Sequence, residues 1–189
     1  MPPKVRITKD MIIDAAYELV RSQGVERLNA RELAKCAGCS TQPIFSACSN
    51  MEVVTAAVVV KAKDRMKQYR ERFKGEDNPL LGIGMAYILF AGEESNLFEL
   101  LYRVEPANDI FEELTGSAVM KAVAADSGLD GSYVASLCRN YFCYIHGIAV
   151  CNANPDGPKV IPDEGELKAA LKDFYKGYRK LYKKKADNG

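Results

Sequence analysis

The residues best equipped for chemistry stand close together near the front of the chain. Ser40, Thr41 and Gln42 place two hydroxyls and a carboxamide in succession. Glutamine can pair with adenine through two hydrogen bonds, and threonine offers a hydroxyl and a methyl, so the triplet suits the reading of base edges. Just before it, Cys36-Ala37-Gly38-Cys39 has the spacing of metal ligands or of a redox pair. A structural zinc site needs four ligands. Cys48 could be a third, but there is no second CxxC and His146 is the only histidine. No metal is therefore expected, and the thiols read as packed core residues or as an oxidant-sensitive group. The carboxylate pairs Glu93-Glu94 and Glu112-Glu113 read as solvated helix faces, and no glycine-rich phosphate loop follows a strand. The chain is not expected to be an enzyme, with neither a catalytic residue nor a cofactor.

Two short helices must hold the triplet in place. Ala34 is small where they would cross, Gly38 supplies the turn, and Ile44 anchors the second helix. That is the pattern of a helix-turn-helix, whose second helix enters a major groove with its N-terminal residues at base edges. A plain helical hairpin with polar residues facing water is the alternative. Ahead of this pair, Thr8 caps a first helix with Met11, Ile12, Ala15, Ala16, Leu19 and Val20 on one side and Gly24 as its stop. Asn29, with Glu32 three residues on, predicts a capping box for the second helix. Pro43 fits the first turn of the third, where its missing N–H has no internal partner.

Asn50 caps a long fourth helix, from about Met51 to Phe73, with Val54, Val58, Ala62, Met66, Tyr69 and Phe73 at the helical period. After the break at Gly75–Pro79, helices are predicted near 80–91, 94–103, 108–125, 131–152 and 164–184. The fold class is all-α with about nine helices: residues 1–50 as a helix-turn-helix domain and 51–189 as a helical regulatory domain.

Composition agrees with a globular chain, 48% apolar and 27% charged. The net charge of +1 conceals a division. Through Lys74 there are 14 Lys/Arg against 8 Asp/Glu, a balance of +6, and from Gly75 onward 12 against 17, a balance of −5. The basic front suits a polyanion, and Lys4, Arg6 and Lys9 form a basic arm that could add backbone or minor-groove contacts. Apolar stretches such as Val53–Val60 are far shorter than the roughly 20 residues that cross a bilayer. The opening Met1-Pro2-Pro3-Lys4-Val5-Arg6 has no apolar run after it, so a cytoplasmic chain without a membrane partner is expected.

From Asn29-Ala30-Arg31-Glu32-Leu33-Ala34 through Pro43-Ile44-Phe45 to Ser49-Asn50-Met51-Glu52, order and spacing resemble the DNA-binding domain of the TetR/AcrR family of regulators. The similarity covers residues 8–60. The resemblance implies a homodimeric, ligand-responsive regulator, usually a repressor, that binds double-stranded operator DNA with its front helices. Ser40, Thr41 and Gln42 would face bases, while Arg31 and the region of Phe45 would meet phosphates. Apart from the resemblance, the helix N-terminus at Asn50 offers backbone N–H groups to a phosphate. Family members commonly have Tyr at the position of Phe45, Phe at Cys48 and Lys at Met51. Two lost phosphate contacts should lower the salt dependence by roughly one unit each.

In the rear half, His146-Gly147-Ile148-Ala149 is similar to a His-Gly element of one branch of the family. Nine of the 17 aromatic residues lie between Gly75 and Val150. They serve as core or line an apolar effector pocket, for which Phe98, Tyr102, Phe111, Tyr141, Tyr144 and His146 are the candidates. For His146 a hydrogen bond satisfied at a packed helix crossing is the simpler reading. Leu167, Leu171, Phe174, Tyr178 and Leu181 recur at helical spacing, and with Gly147 they suggest a two-fold four-helix contact. A last helix folded back on its own core is the other possibility. Two further readings stay open: a thiol-based redox-sensing regulator using Cys36, Cys39 and Cys48, and a helical ligand-binding or scaffold protein with weakened DNA binding.

Overall fold

A computed structural model describes residues 7–76, 78–104, 112 and 116–186, with side chains through residue 183. Among these residues there are nine α-helices, one 3₁₀ turn and no strand. The all-α class expected from the sequence is thus the class observed. Packing divides the chain into two units. One comprises residues 7–65 and 94–104 of the described chain, the other residues 66–93 and those from 112 onward.

In the first unit, α1 (Lys9–Gln23) begins where Thr8 Oγ1 accepts the Met11 N–H at 3.2 Å and stops at Gly24, whose φ of 85° favours glycine. It buries Ile12, Ala16, Leu19 and Val20, while Met11, expected on the same side, is 43% exposed. After the 3₁₀ turn Val25–Arg27, α2 (Ala30–Cys36) starts at Asn29, whose Oδ1 accepts from the Arg31 and Glu32 amides. The predicted box does not close. Asn29 N–H donates to Arg27 C=O, and Glu32 turns instead to Lys35 at 2.9 Å and Arg27 at 3.6 Å.

The helices α3 (Thr41–Cys48) and α4 (Met51–Arg72) follow, with Asn50 Oδ1 accepting the Val53 N–H at 2.9 Å as the expected cap. Ser49 between them has φ 60°, a rare conformation for a residue with a Cβ. Residues of α4 belong to both units, the boundary falling at Arg65. Helix α6 (Ser95–Val104) returns to the first unit, burying Leu97, Phe98 and Leu100 and packing on α1.

The second unit is built around α5 (Pro79–Glu93), which packs against α7 (Ser117–Ser127), α8 (Gly131–Ala153) and α9 (Glu164–Ala186). Its position at the centre explains why nearly every residue from Leu80 to Ala91 is buried. Gly84 permits the closest approach: a Cβ there would lie 2.1 Å from the Tyr141 hydroxyl oxygen. Asp130 caps α8 through the Ser132 and Tyr133 amides. Asp163 and Glu166 close a reciprocal capping box at the start of α9, at 2.8 and 2.9 Å. Within the predicted stretch 108–125, the described helix is Ser117–Ser127.

Candidate nucleic-acid interface and effector region

The turn between α2 and α3 is set by backbone hydrogen bonds. Cys39 N–H donates to Ala34 C=O at 2.9 Å and Gly38 N–H to Lys35 C=O at 3.2 Å, with Gly38 at φ 65°. This is the double bond pattern that ends a helix on a left-handed glycine. It lets Leu33 and Ala34 of α2, with Ile44 and Cys48 of α3, bury completely or nearly so. The opposite side of α3 is left in solvent. Ser40, Thr41, Gln42 and Phe45 are all exposed there, Phe45 at 46%. Ser40 holds the N-cap position without its hydroxyl bonding a first-turn amide.

The structure therefore gathers the predicted base-facing triplet at one exposed helix start. Arg31 is exposed on α2. Asn50 is exposed too, but its amide donates to Cys48 C=O and its side chain caps α4, which leaves the Met51 and Glu52 amides as first-turn donors. Lys4 and Arg6 lie outside the described residues. Cys36 is exposed, Cys39 half-buried and Cys48 buried, all as free thiols. Among the described residues, no three His, Cys, Asp or Glu side chains are grouped to hold a metal ion. Nor is any single helix there long and apolar enough to cross a membrane.

One carboxylate departs from expectation. Glu94, read as part of a solvated face, is buried, and Arg21 and Arg65 both bind it. Its partners lie 73 and 29 residues away, which no local pattern signals. Glu93 is exposed as expected, although its carboxylate accepts the Tyr69 hydroxyl at 2.7 Å.

The candidate effector residues fall into separate places. Phe98 is buried and Tyr102 is 47% exposed on α6, in the first unit. Phe111 lies outside the described residues. In the second unit, Tyr141 is fully buried and donates to Leu80 C=O at 2.9 Å, with Phe174 edge-on at 6.1 Å. Tyr144 meets the same Phe174 at 5.8 Å. His146 makes a different cluster: its Nδ1 is 2.9 Å from the Tyr87 hydroxyl, and its ring stacks on Phe142 at 5.4 Å. Burial pushes the imidazole pKa below its ordinary value, favouring the neutral ring. Sequence reasoning did not single out Tyr87 and Phe142; the four-residue step from Phe142 to His146 was the available signal.

The candidate self-association residues divide similarly. Leu167 and Leu171 are buried in the unit's own core. Phe174 and Tyr178 are half-buried and border an apolar groove of about 880 Å³, with Tyr144, Gly177 and Leu181. Gly147 is exposed on α8, with open space where a Cβ would stand.

No family model matches the chain. The chain is 27% identical over 103 residues to an uncharacterized helix-turn-helix-type transcriptional regulator, YobS of Bacillus subtilis (strain 168). That match covers 52% of this chain and 53% of the relative, so it spans about half of either. A crystal structure from Rhodococcus sp., described as a candidate TetR-family transcriptional regulator, superposes with a TM-score of 0.54. It covers 90% of this chain and 97% of its own, at 16% identity, a likeness of fold. The chain is thus TetR-like in fold, and the resemblance carried by residues 8–60 stands with it.

Proposed function

We propose that the chain is a sequence-specific DNA-binding transcriptional regulator and not an enzyme. The observation that carries this reading is α3: Ile44 and Cys48 are buried while Ser40, Thr41, Gln42 and Phe45 stand together in solvent. Such a helix can enter a major groove without disturbing its own packing. The relative and the solved structure, both described as transcriptional regulators, support the same reading.

The finer reading is a cytoplasmic homodimeric repressor. Residues 1–50 contact the operator, with Lys4 and Arg6 adding to the arm, and 51–189 bind the effector and the second copy. The half-buried Phe174 and Tyr178, beside Gly177 and Leu181, form the face offered to that copy. A small, largely apolar effector, held among aromatic residues such as Tyr87, Phe142 and His146, releases the operator. The change passes through α4, which contributes to both units. The recognition helices then no longer match successive major grooves about 34–36 Å apart. An effector does this only by binding the two states with different affinity.

A gel-shift titration with the DNA flanking its own gene tests the proposal. Preferred binding to that DNA over an unrelated duplex is expected. Equal binding to both would leave a helical protein without sequence recognition.

A further inference from the structure

We propose that the solvent face of α9 is a binding strip for the sugar-phosphate backbone of nucleic acid, a contact independent of base reading by α3. At about 100° per residue, α9 has three distinct faces. Leu167, Leu171 and Tyr175 turn into the core, and Phe174, Gly177 and Leu181 border the apolar groove. The third face carries Lys168, Lys172, Lys176, Arg179, Lys180 and Lys183, all exposed, lining a shallow trough of about 570 Å³, with Lys180 at the edge shared with the groove. This basic strip lies in the rear half of the sequence, whose overall balance is acidic.

The charge on this face is largely uncompensated. Lys168 pairs with Glu164, and Arg179 donates to the Ser127 and Asp126 carbonyls while lying over the Tyr175 ring. Among the described residues, Lys172, Lys176, Lys180 and Lys183 have no carboxylate within ion-pair distance. Like charges one helical turn apart repel. The helix dipole favours cations only in the last turn, so it accounts for Lys183 and not for Lys172, Lys176 and Lys180. Three four-residue steps and one three-residue step from Lys168 to Lys183 place successive lysines about 4.5–6 Å apart along a row of roughly 22 Å.

The residue types select the partner. Lysines are point charges on flexible stems, suited to phosphates without sequence reading. A protein partner would call for exposed aromatic anchors and few lysines, and here Tyr175 is buried. A membrane-lying helix would insert an apolar face; here one apolar face is used in the core, and the other is the groove read above as the face offered to a second copy. Exposed Asp173 and Asp126 flank the row. They oppose a plane of anionic headgroups more than a narrow ridge of phosphates.

The test compares three forms of the full chain on a short duplex of arbitrary sequence. They are the parent, the combined Lys172→Gln, Lys176→Gln, Lys180→Gln and Lys183→Gln variant, and an Arg31→Ala, Gln42→Ala variant. Anisotropy is read between about 50 and 200 mM salt. The lysine variant should lower the slope of log affinity against log salt by roughly 3 to 4, and weaken binding at low salt by about tenfold or more. The corresponding Lys→Arg variant should keep both, with helical circular dichroism unchanged throughout. An unchanged slope in the glutamine variant overturns the proposal. So does loss of binding to phosphatidylserine vesicles with duplex binding intact, which would assign the strip to a membrane. The Arg31, Gln42 variant reports separately on α3, so either contact can fail alone.

Discussion

Arg21 and Glu94 meet in a two-bonded fork, Nε to Oε2 at 2.7 Å and Nη2 to Oε1 at 2.9 Å. Arg65 Nε adds a third bond to the same Oε1 at 2.9 Å. One carboxylate, its side chain 3% exposed, thereby ties α1, α4 and the start of α6 within the first unit. Burial alone would raise the Glu94 pKa, but hydrogen bonds and charge from Arg21 and Arg65 outweigh it and hold the carboxyl below its ordinary value.

Replacing Glu94 by Gln leaves two guanidiniums facing a neutral group. Breaking a buried pair costs about 3–5 kcal/mol, and partial exposure of both arginines should reduce this to roughly 2 kcal/mol. Urea unfolding at neutral pH measures it. Because the folded pKa lies below the unfolded one, this stability is present above 4.5 and is lost as pH falls through the folded value. The gap between parent and Glu94→Gln should therefore narrow in acid. A constant gap would mean that the carboxylate's charge contributes nothing.

His146 titrates in the opposite sense. Burial lowers its pKa below 6.5, so the unfolded chain takes up the proton first and stability falls as pH drops through that value. His146→Gln should flatten this part of the profile between about pH 7.5 and 5.5. Thermal midpoints at a series of pH values check it.

Gly84 and Tyr141 share one space. A Cβ on Gly84 would meet the Tyr141 oxygen at 2.1 Å and Leu167 Cδ2 at 3.1 Å. Gly84→Ala should cost about 2–3 kcal/mol through overpacking. Adding Tyr141→Phe removes the clashing hydroxyl and should recover part of that loss, a coupling that a double-mutant cycle reads directly.

Phe45 stands exposed where the resembled family commonly carries Tyr. If α3 sits against a phosphate there, Phe45→Tyr should strengthen DNA binding several-fold. The new bond is to a charged group and should contribute roughly 1 kcal/mol. Unchanged affinity would place this side chain away from the backbone.

Much of the fold was legible because its signals are local. Thr8, Asn29 and Asn50 announce helix starts, Gly24 and Gly38 announce stops, and the four-residue recurrence from Val54 to Ala62 marks a buried stripe. What escaped is non-local. Glu94 looks like any surface glutamate until the fold brings Arg21 and Arg65 to it. The Glu32 box failed because Arg27 already satisfies the Asn29 amide. The periodicity of α9 marked an apolar side, but only packing separates Leu167 and Leu171, used in the core, from Phe174 and Leu181 on the groove. The pairing of Tyr87 with His146 spans 59 residues and has no sequence signature.

On the proposed function, α3 meets base edges through its exposed start. Selection from a randomised duplex pool, repeated with Gln42→Ala and Arg31→Ala, measures this most directly. The parent should enrich a defined inverted repeat. Gln42→Ala should relax preference at one position per half-site by about 1–3 kcal/mol, while Arg31→Ala weakens all sequences alike. A pool that stays random with the parent, or a Gln42→Ala variant with the parent's preferences, would contradict the assignment of α3 as the recognition helix.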